Sequence, residues 1–388
     1  MKNIFLIFIF MVNCWGIEQK TNLSIQYINY DDFQNELLYY GDTKLEYIAD
    51  KFSINSKIKY WYSNQYTQKR SLDLDELYLT KEYEDAKIEF GKIIKFQGEL
   101  EGYNINDIFN QKDYHFDPFD KSAKNGSFIV SGTKYIQNDS FELGLKLYEE
   151  NKEYPKVGNP YDISSLNYDK NLKTQSSRYS PTIYLKYNFL TDKKVQSDNK
   201  IMILRGYDNK RYFIPQNQST ISSYAYKVNK LLFLSNIVYG DTIFKFETSY
   251  TDVLSDRFMS DYWQLSFGME NGFYDIGEVD INLYTEYYKY QYKDDRKIKN
   301  VNISEVYDDD IFVALKFNFN DPQSTSVKSG ILFDRNNSEK VFKLEMQRRI
   351  IDGLVLSGEI LNIVSKQNTV LTNLGNHTRS MIALTYTF

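Results

Sequence analysis

The sequence predicts an all-β protein, a transmembrane antiparallel β-barrel of about eighteen strands with sixteen as the alternative count. Three observations predict it. Polarity alternates with a period of two along most of the chain, the connections between alternating segments are in turn tight and long, and the last residue is an aromatic that closes an alternating strand.

The N-terminus comes first. Met1-Lys2-Asn3 precedes the apolar run Ile4 to Val12 and the end Cys14-Trp15-Gly16, which is the layout of a secretory signal peptide over residues 1–16. The run is shorter than the roughly 20 apolar residues that a membrane-spanning helix needs. A lipid anchor at Cys14 would want a small residue where bulky, polar Asn13 stands. Residues 17–388 are therefore expected to form one exported barrel. Its only cysteine lies inside the leader, so no disulfide is expected to brace it.

Mean hydropathy is −0.54. A barrel keeps such an average because it hides its lipid face by alternation, so periodicity decides the question and the mean does not. Aromatic residues make up 16% of the chain, with Tyr 35 and Phe 26, which suits two girdles at the bilayer interfaces. A net charge of −5 excludes a nucleic-acid surface, which needs a basic excess.

The alternating segments lie near 21–30, 43–49, 52–63, 74–83, 86–95, 127–136, 139–149, 180–190, 199–206, 222–238, 242–251, 260–270, 277–290, 309–319, 326–334, 340–349, 353–364 and 378–388. Ile311, Val313, Leu315, Phe317 and Phe319, interleaved with Ala314, Lys316 and Asn318, are typical of one greasy and one wet face. Tight connections (Glu84-Asp85, Gln137-Asn138, Gly240-Asp241, Asp352-Gly353) alternate with long ones (96–126, 149–179, 207–221, 291–308, 365–377). Short periplasmic turns and long outer loops give this rhythm, with both termini periplasmic. A soluble sandwich also alternates, but has no reason to sort its loops this way.

The last strand runs through Ile382, Leu384 and Tyr386 to Phe388. It resembles the terminal strand recognised by the barrel-assembly machinery of outer membranes, which that resemblance implies as a partner.

A second likeness lies in the first third. Glu76-Leu77-Tyr78, Gly91-Lys92, Gly98, Glu101-Gly102, Asp107-Ile108-Phe109-Asn110 and Asp113 are spaced as in a largely uncharacterised, porin-like family of Gram-negative outer-membrane barrels. That family's pattern is Gly-Arg-Gln, Trp-Gly, Asp-Gly and Asp-x-x-Asn-Pro-x-Asp. Lys92 and Glu101 stand for its Arg and Asp, while Ile93, Gln97 and Gln111 replace its Gln, Trp and Pro. The resemblance implies an outer-membrane, porin-related barrel.

Loop 96–126 carries many charges, and irregular backbone at membrane depth is tolerated only inside a barrel. It is expected to fold into the lumen as a constriction. The candidate constriction and lumen residues are Lys92, Glu99, Glu101, Asp107, Asn110, Asp113, Asp117, Asp120 and Lys121, facing Lys146, Lys186 and Arg349 on the wall. By parity, Lys57, Lys59, Glu89, Glu142, Lys245, Glu247, Glu278, Glu286, Lys343 and Glu345 also face inward. Charges of both signs in a wet channel sieve small polar solutes.

No catalytic constellation is apparent: the two histidines, His115 and His377, lack sequence-local partners of hydrolytic spacing. Asp113, His115 and Asp117 offer ligand types at alternate positions, but such residues are commonplace in acidic loops, and neither a metal nor a cofactor is expected. The expected function is passive diffusion of small hydrophilic solutes. A surface adhesin or structural barrel is the alternative, and a barrel-borne hydrolase comes third. Outer-membrane lipid and small solutes are the expected partners, with monomer or homotrimer left open and nucleic acid excluded.

Overall fold

A computed structural model of the chain describes residues 16–117, 119–162, 166–192, 195–294, 302–303, 306–366 and 377–388. The leader, apart from Gly16, lies outside the described residues, as does most of the loop before the last strand.

Eighteen antiparallel strands form one sheet. They are β1 (Ile17–Tyr30), β2 (Glu36–Ala49), β3 (Phe52–Ser63), β4 (Arg70–Glu82), β5 (Ala86–Ile93), β6 (Ser127–Ile136), β7 (Asp139–Lys146), β8 (Thr182–Thr191) and β9 (Gln196–Tyr207), then β10 (Lys227–Tyr239), β11 (Thr242–Val253), β12 (Tyr262–Phe273), β13 (Val279–Tyr292), β14 (Asp309–Phe319), β15 (Ser326–Asp334), β16 (Lys340–Ile351), β17 (Leu354–Val364) and β18 (His377–Thr387). Each pairs with its neighbour in sequence, and β18 pairs with β1, Tyr386 opposite Leu23 and Ile382 opposite Tyr27. The sheet is thus closed and has no free edge. Among the described residues no helix is long and apolar enough to cross a membrane.

Alternation becomes a two-sided wall because every ladder keeps its parity. Leu185, Ile203, Leu231 and Tyr250 are successive cross-strand partners on β8 to β11 and all point outward. Their neighbours Tyr184, Leu204 and Leu232 are buried inside. An apolar outer row of this length has no stable contact with water and fits a hydrocarbon belt. Beside the tight turns, Tyr47, Phe52, Tyr83, Tyr135, Tyr239 and Phe273 stand exposed on the outer face; near the long-loop end Tyr27, Tyr62, Tyr179 and Trp263 do the same. These are the two aromatic girdles.

Several strands start or end a few residues from where alternation places them, and three of these shifts have a local structural reason. β2 begins at Glu36, not residue 43, because Gly41, roofed by the Tyr60 ring, interrupts the visible alternation. β4 begins at Arg70, not residue 74, and the register shift opposite Lys57 and Ile58 turns Asp75 and Glu76 both inward, which looks like a loop in sequence. The segment 222–238 divides into β10 and a separate strand, Thr220–Ala225, that pairs with Tyr212–Pro215 in a small second sheet built from the long connections. Asn167–Tyr168 and Lys173–Thr174 join that sheet in parallel.

Gly91 has φ +139°, and a Cβ there would meet the Leu77 carbonyl oxygen at 2.2 Å. Only glycine lets β5 lie this close to β4 before the chain turns inward.

Candidate functional site

From Ile94 the chain leaves β5 and crosses the inside of the barrel. Lys95 fixes the entry, its Nζ lying 2.8 Å from Glu89 and 2.5 Å from Glu142 and donating to Ser131 Oγ at 2.8 Å. Lys186 holds the other oxygen of Glu142 at 2.6 Å. The segment then reaches the opposite wall, where two buried wall carboxylates receive its backbone. Glu247 of β11 accepts the N–H of Glu99 at 2.9 Å and that of Asn106 at 3.1 Å. Glu286 of β13 accepts the N–H groups of Glu101 and Gly102 at 2.5 and 2.8 Å, and Tyr103 N–H donates to Tyr288 Oη at 2.9 Å. Orphan N–H groups of an irregular segment are satisfied by side chains of the wall, which is what such a segment needs at this depth.

Side-chain charges repeat the pattern. Glu99 pairs with Lys200 of β9 at 3.0 Å. Glu101 lies 3.6 Å from Lys121 and 2.5 Å from Lys328 of β15. Burial works to raise the Glu101 carboxyl, yet the two lysines hold it below the usual range. On the return path Phe109 packs on Tyr184 of β8 with ring centroids 4.5 Å apart. Buried Asn110 donates to the Lys95 carbonyl at 2.9 Å and to Asp107 at 2.6 Å. Asp107 pairs with Lys124; burial dominates and raises its carboxyl despite that partner. Gln111–Lys112 and Lys124–Asn125 form a short hairpin, with Lys112 donating to the Asp120 carbonyl at 2.8 Å. At its tip Asp117 lies 3.3 Å from Arg379 of β18 and 3.4 Å from Lys343 of β16. Burial opposes ionisation of Asp117, and these cations still keep its carboxyl below the ordinary value.

The candidate residues thus divide. Glu99, Glu101, Asp107, Asn110, Asp117, Asp120 and Lys121 lie on the inward segment, and Lys186 meets it through Glu142. Lys146 sits nearer the long-loop end, 2.9 Å from Glu149, which also pairs with Arg211. Two candidates lie apart from the segment's ion pairs. Lys92 falls in the outward row of Leu77 and Phe128 and donates to the Leu74 carbonyl at 2.7 Å, because parity at the end of β5 places it outside. Arg349 is at the short-turn rim, against Pro322 and Asp352. Glu278, a turn residue with φ +67°, is not on the wall. Asp113 meets His115 and Glu153 of the loop after β7, rather than Asp117.

Sequence reasoning placed Glu247 and Glu286 on the inner face without seeing that they receive backbone. It missed Lys95, Lys200, Lys328 and Arg379. An acid on an inward position with no basic residue opposite it in the ladder is the signal that would have pointed to the anchors. Ile382, Leu384, Tyr386 and Phe388 all point outward, and Phe388 exchanges backbone hydrogen bonds with Thr21 at 2.8 and 3.0 Å.

No protein-family model matches the chain, and no curated protein matches it in sequence. Solved structures match its shape. OccK3 (OpdO) of Pseudomonas aeruginosa superposes with a TM-score of 0.55 at 9% identity, over 96% of this chain and 95% of the other. OccAB4 of Acinetobacter baumannii gives 0.56 at 10% identity, over 96% and 98%. OpdK of Pseudomonas aeruginosa, solved with vanillate, gives 0.53 at 7% identity, over 96% and 98%. At these identities the likeness is one of fold: the chain is an eighteen-stranded antiparallel barrel of the kind found in outer-membrane porins.

Proposed function

We propose that the chain is a porin-like channel of a Gram-negative outer membrane, through which small hydrophilic solutes diffuse passively past segment 94–126. The observation that carries this reading is that the segment spans the lumen while hung on Glu247 and Glu286, with partly exposed charges of both signs (Glu99, Glu101, Lys121, Lys200, Lys328) around it. Fixed opposite charges on a narrow aqueous path favour small, strongly hydrated solutes over apolar ones. The outer apolar belt between two aromatic girdles supports the membrane setting, and the porin likeness of the fold supports the outer membrane. In this reading the termini and tight turns are periplasmic, the outward terminal strand ending in Phe388 is the mark read by the assembly machinery, and no reaction is catalysed.

Liposome swelling tests it. Vesicles carrying the refolded chain should swell in sugars, amino acids and small carboxylates, vanillate among them, at rates that fall with solute size. Folded, inserted protein that admits none of them would end the proposal.

A further inference from the structure

Asp113 and His115, on the inward segment, converge with Glu153 of the loop that follows β7. His115 Nδ1 lies 2.9 Å from Asp113 Oδ1 and 3.7 Å from Glu153 Oε2. One ligand atom from each of the three lies within 4.8 Å of the others. A zinc-class ion bound at about 2.0–2.2 Å separates adjacent ligand atoms by roughly 3.3–3.6 Å in a tetrahedron, and the two separations from His115 Nδ1 lie close to that spacing.

The backbone holds the three together. Asp113 and Glu153 form an isolated parallel bridge, and Tyr114 N–H donates to the Glu153 carbonyl at 2.9 Å. The Tyr114 and Tyr154 rings stack with centroids 5.3 Å apart. Asp113 Oδ1 also accepts the His115 backbone N–H at 2.9 Å, which fixes the imidazole beside it. Among the described residues neither Asp113 nor Glu153 has a lysine or arginine within ion-pair distance, in a segment whose other acids mostly do. Two carboxylates meet across a single imidazole, a local excess of negative charge that a divalent cation neutralises. The Glu153 side chain is 44% exposed, so an ion can enter and keep water on its open positions.

We propose that Asp113, His115 and Glu153 bind a first-row divalent transition-metal ion, and that this ion ties the inward segment to the loop after β7. One imidazole nitrogen with two carboxylate oxygens suits zinc and its neighbours; calcium and magnesium prefer all-oxygen shells. In the bound state His115 presents unprotonated Nδ1 and keeps its proton on Nε2.

The test uses the untagged full chain, refolded in detergent, stripped with a chelator and titrated with zinc chloride by calorimetry and by competition with a chromogenic chelator. One zinc ion per chain should bind saturably, calcium chloride should not displace it, and Glu153→Gln and His115→Ala should each weaken binding about tenfold or more. Bound zinc should slow proteolysis within the loop after β7 in the parent chain and not in Glu153→Gln. Heat-modifiable mobility on gels checks that each variant is folded, and exposed Glu153 tolerates the amide. An absence of saturable zinc binding, equal competition by calcium, or folded variants that titrate like the parent overturns the proposal.

Discussion

Glu247 and Asn106 stand 141 positions apart in the chain, yet the Asn106 backbone N–H donates to Glu247 Oε2 at 3.1 Å while Glu99 N–H takes the other oxygen at 2.9 Å. One wall carboxylate thereby pins both limbs of the inward segment. A buried hydrogen bond of this kind contributes about 0.5–1.5 kcal/mol, and more is lost when its donor is left unsatisfied. Glu247→Ala should therefore leave the barrel folded and loosen the segment, giving a larger and noisier unit conductance. A trace indistinguishable from the parent would mean that Glu247 does not hold the segment in place.

Glu101 is the shared counter-charge of Lys121 and Lys328. Removing it in Glu101→Gln leaves two lysines uncompensated, so the reversal potential in a salt gradient should shift toward anion preference. The same shift should appear in the parent protein on acidification. Because the folded carboxyl titrates below its ordinary value, the interaction is complete above about pH 4.3 and is lost as pH falls through the lower folded value. Reversal potentials recorded from pH 7 to pH 3 check both halves.

Asp208, just beyond β9, is buried with Lys230 Nζ at 2.7 Å and the Tyr262 hydroxyl on its second oxygen. Burial works against its charge, but Lys230 and that hydroxyl bring the carboxyl down to about 2. Its stabilisation should be fully present above about pH 4 and fade as pH falls toward 2. Asp208→Asn strands a buried ammonium and should cost about 3–5 kcal/mol. Urea unfolding in lipid vesicles at pH 7 and pH 3 measures it; the gap between parent and variant should narrow at the lower pH.

Ile203 stands midway along β9 in the outward row with Leu185 and Leu231, at 53% exposure. Were this face in water, arginine here would be harmless. Facing hydrocarbon at mid-depth, Ile203→Arg should cost about 2–4 kcal/mol. The same unfolding assay reads the difference, and a cost near zero would put water outside the barrel.

The wall was legible in the sequence because each strand needs only its own parity. β3, β6, β14 and β15 fall at Phe52–Ser63, Ser127–Ile136, Asp309–Phe319 and Ser326–Asp334, where alternation alone places them. Strand starts failed where a special contact masks the period, as under Gly41 or at the Asp75 bulge. An inward path for loop 96–126 was an expectation from its charges and irregular backbone, and its partners on the wall could not be read at all. The bonds from Glu99 to Glu247 and from Asp117 to Arg379 join positions far apart in the chain, and no local pattern carries that information. The same reason hid Glu153, which stands where alternate spacing had suggested Asp117.

Single-channel recording in a planar lipid bilayer bears most directly on the claim that lipid surrounds this wall and water fills it. The purified chain, added from detergent, should insert in discrete steps of uniform size that scale with salt concentration. Protein that is shown to be folded in the bilayer and passes no current, or that stays dispersed without detergent and never inserts, would contradict the account.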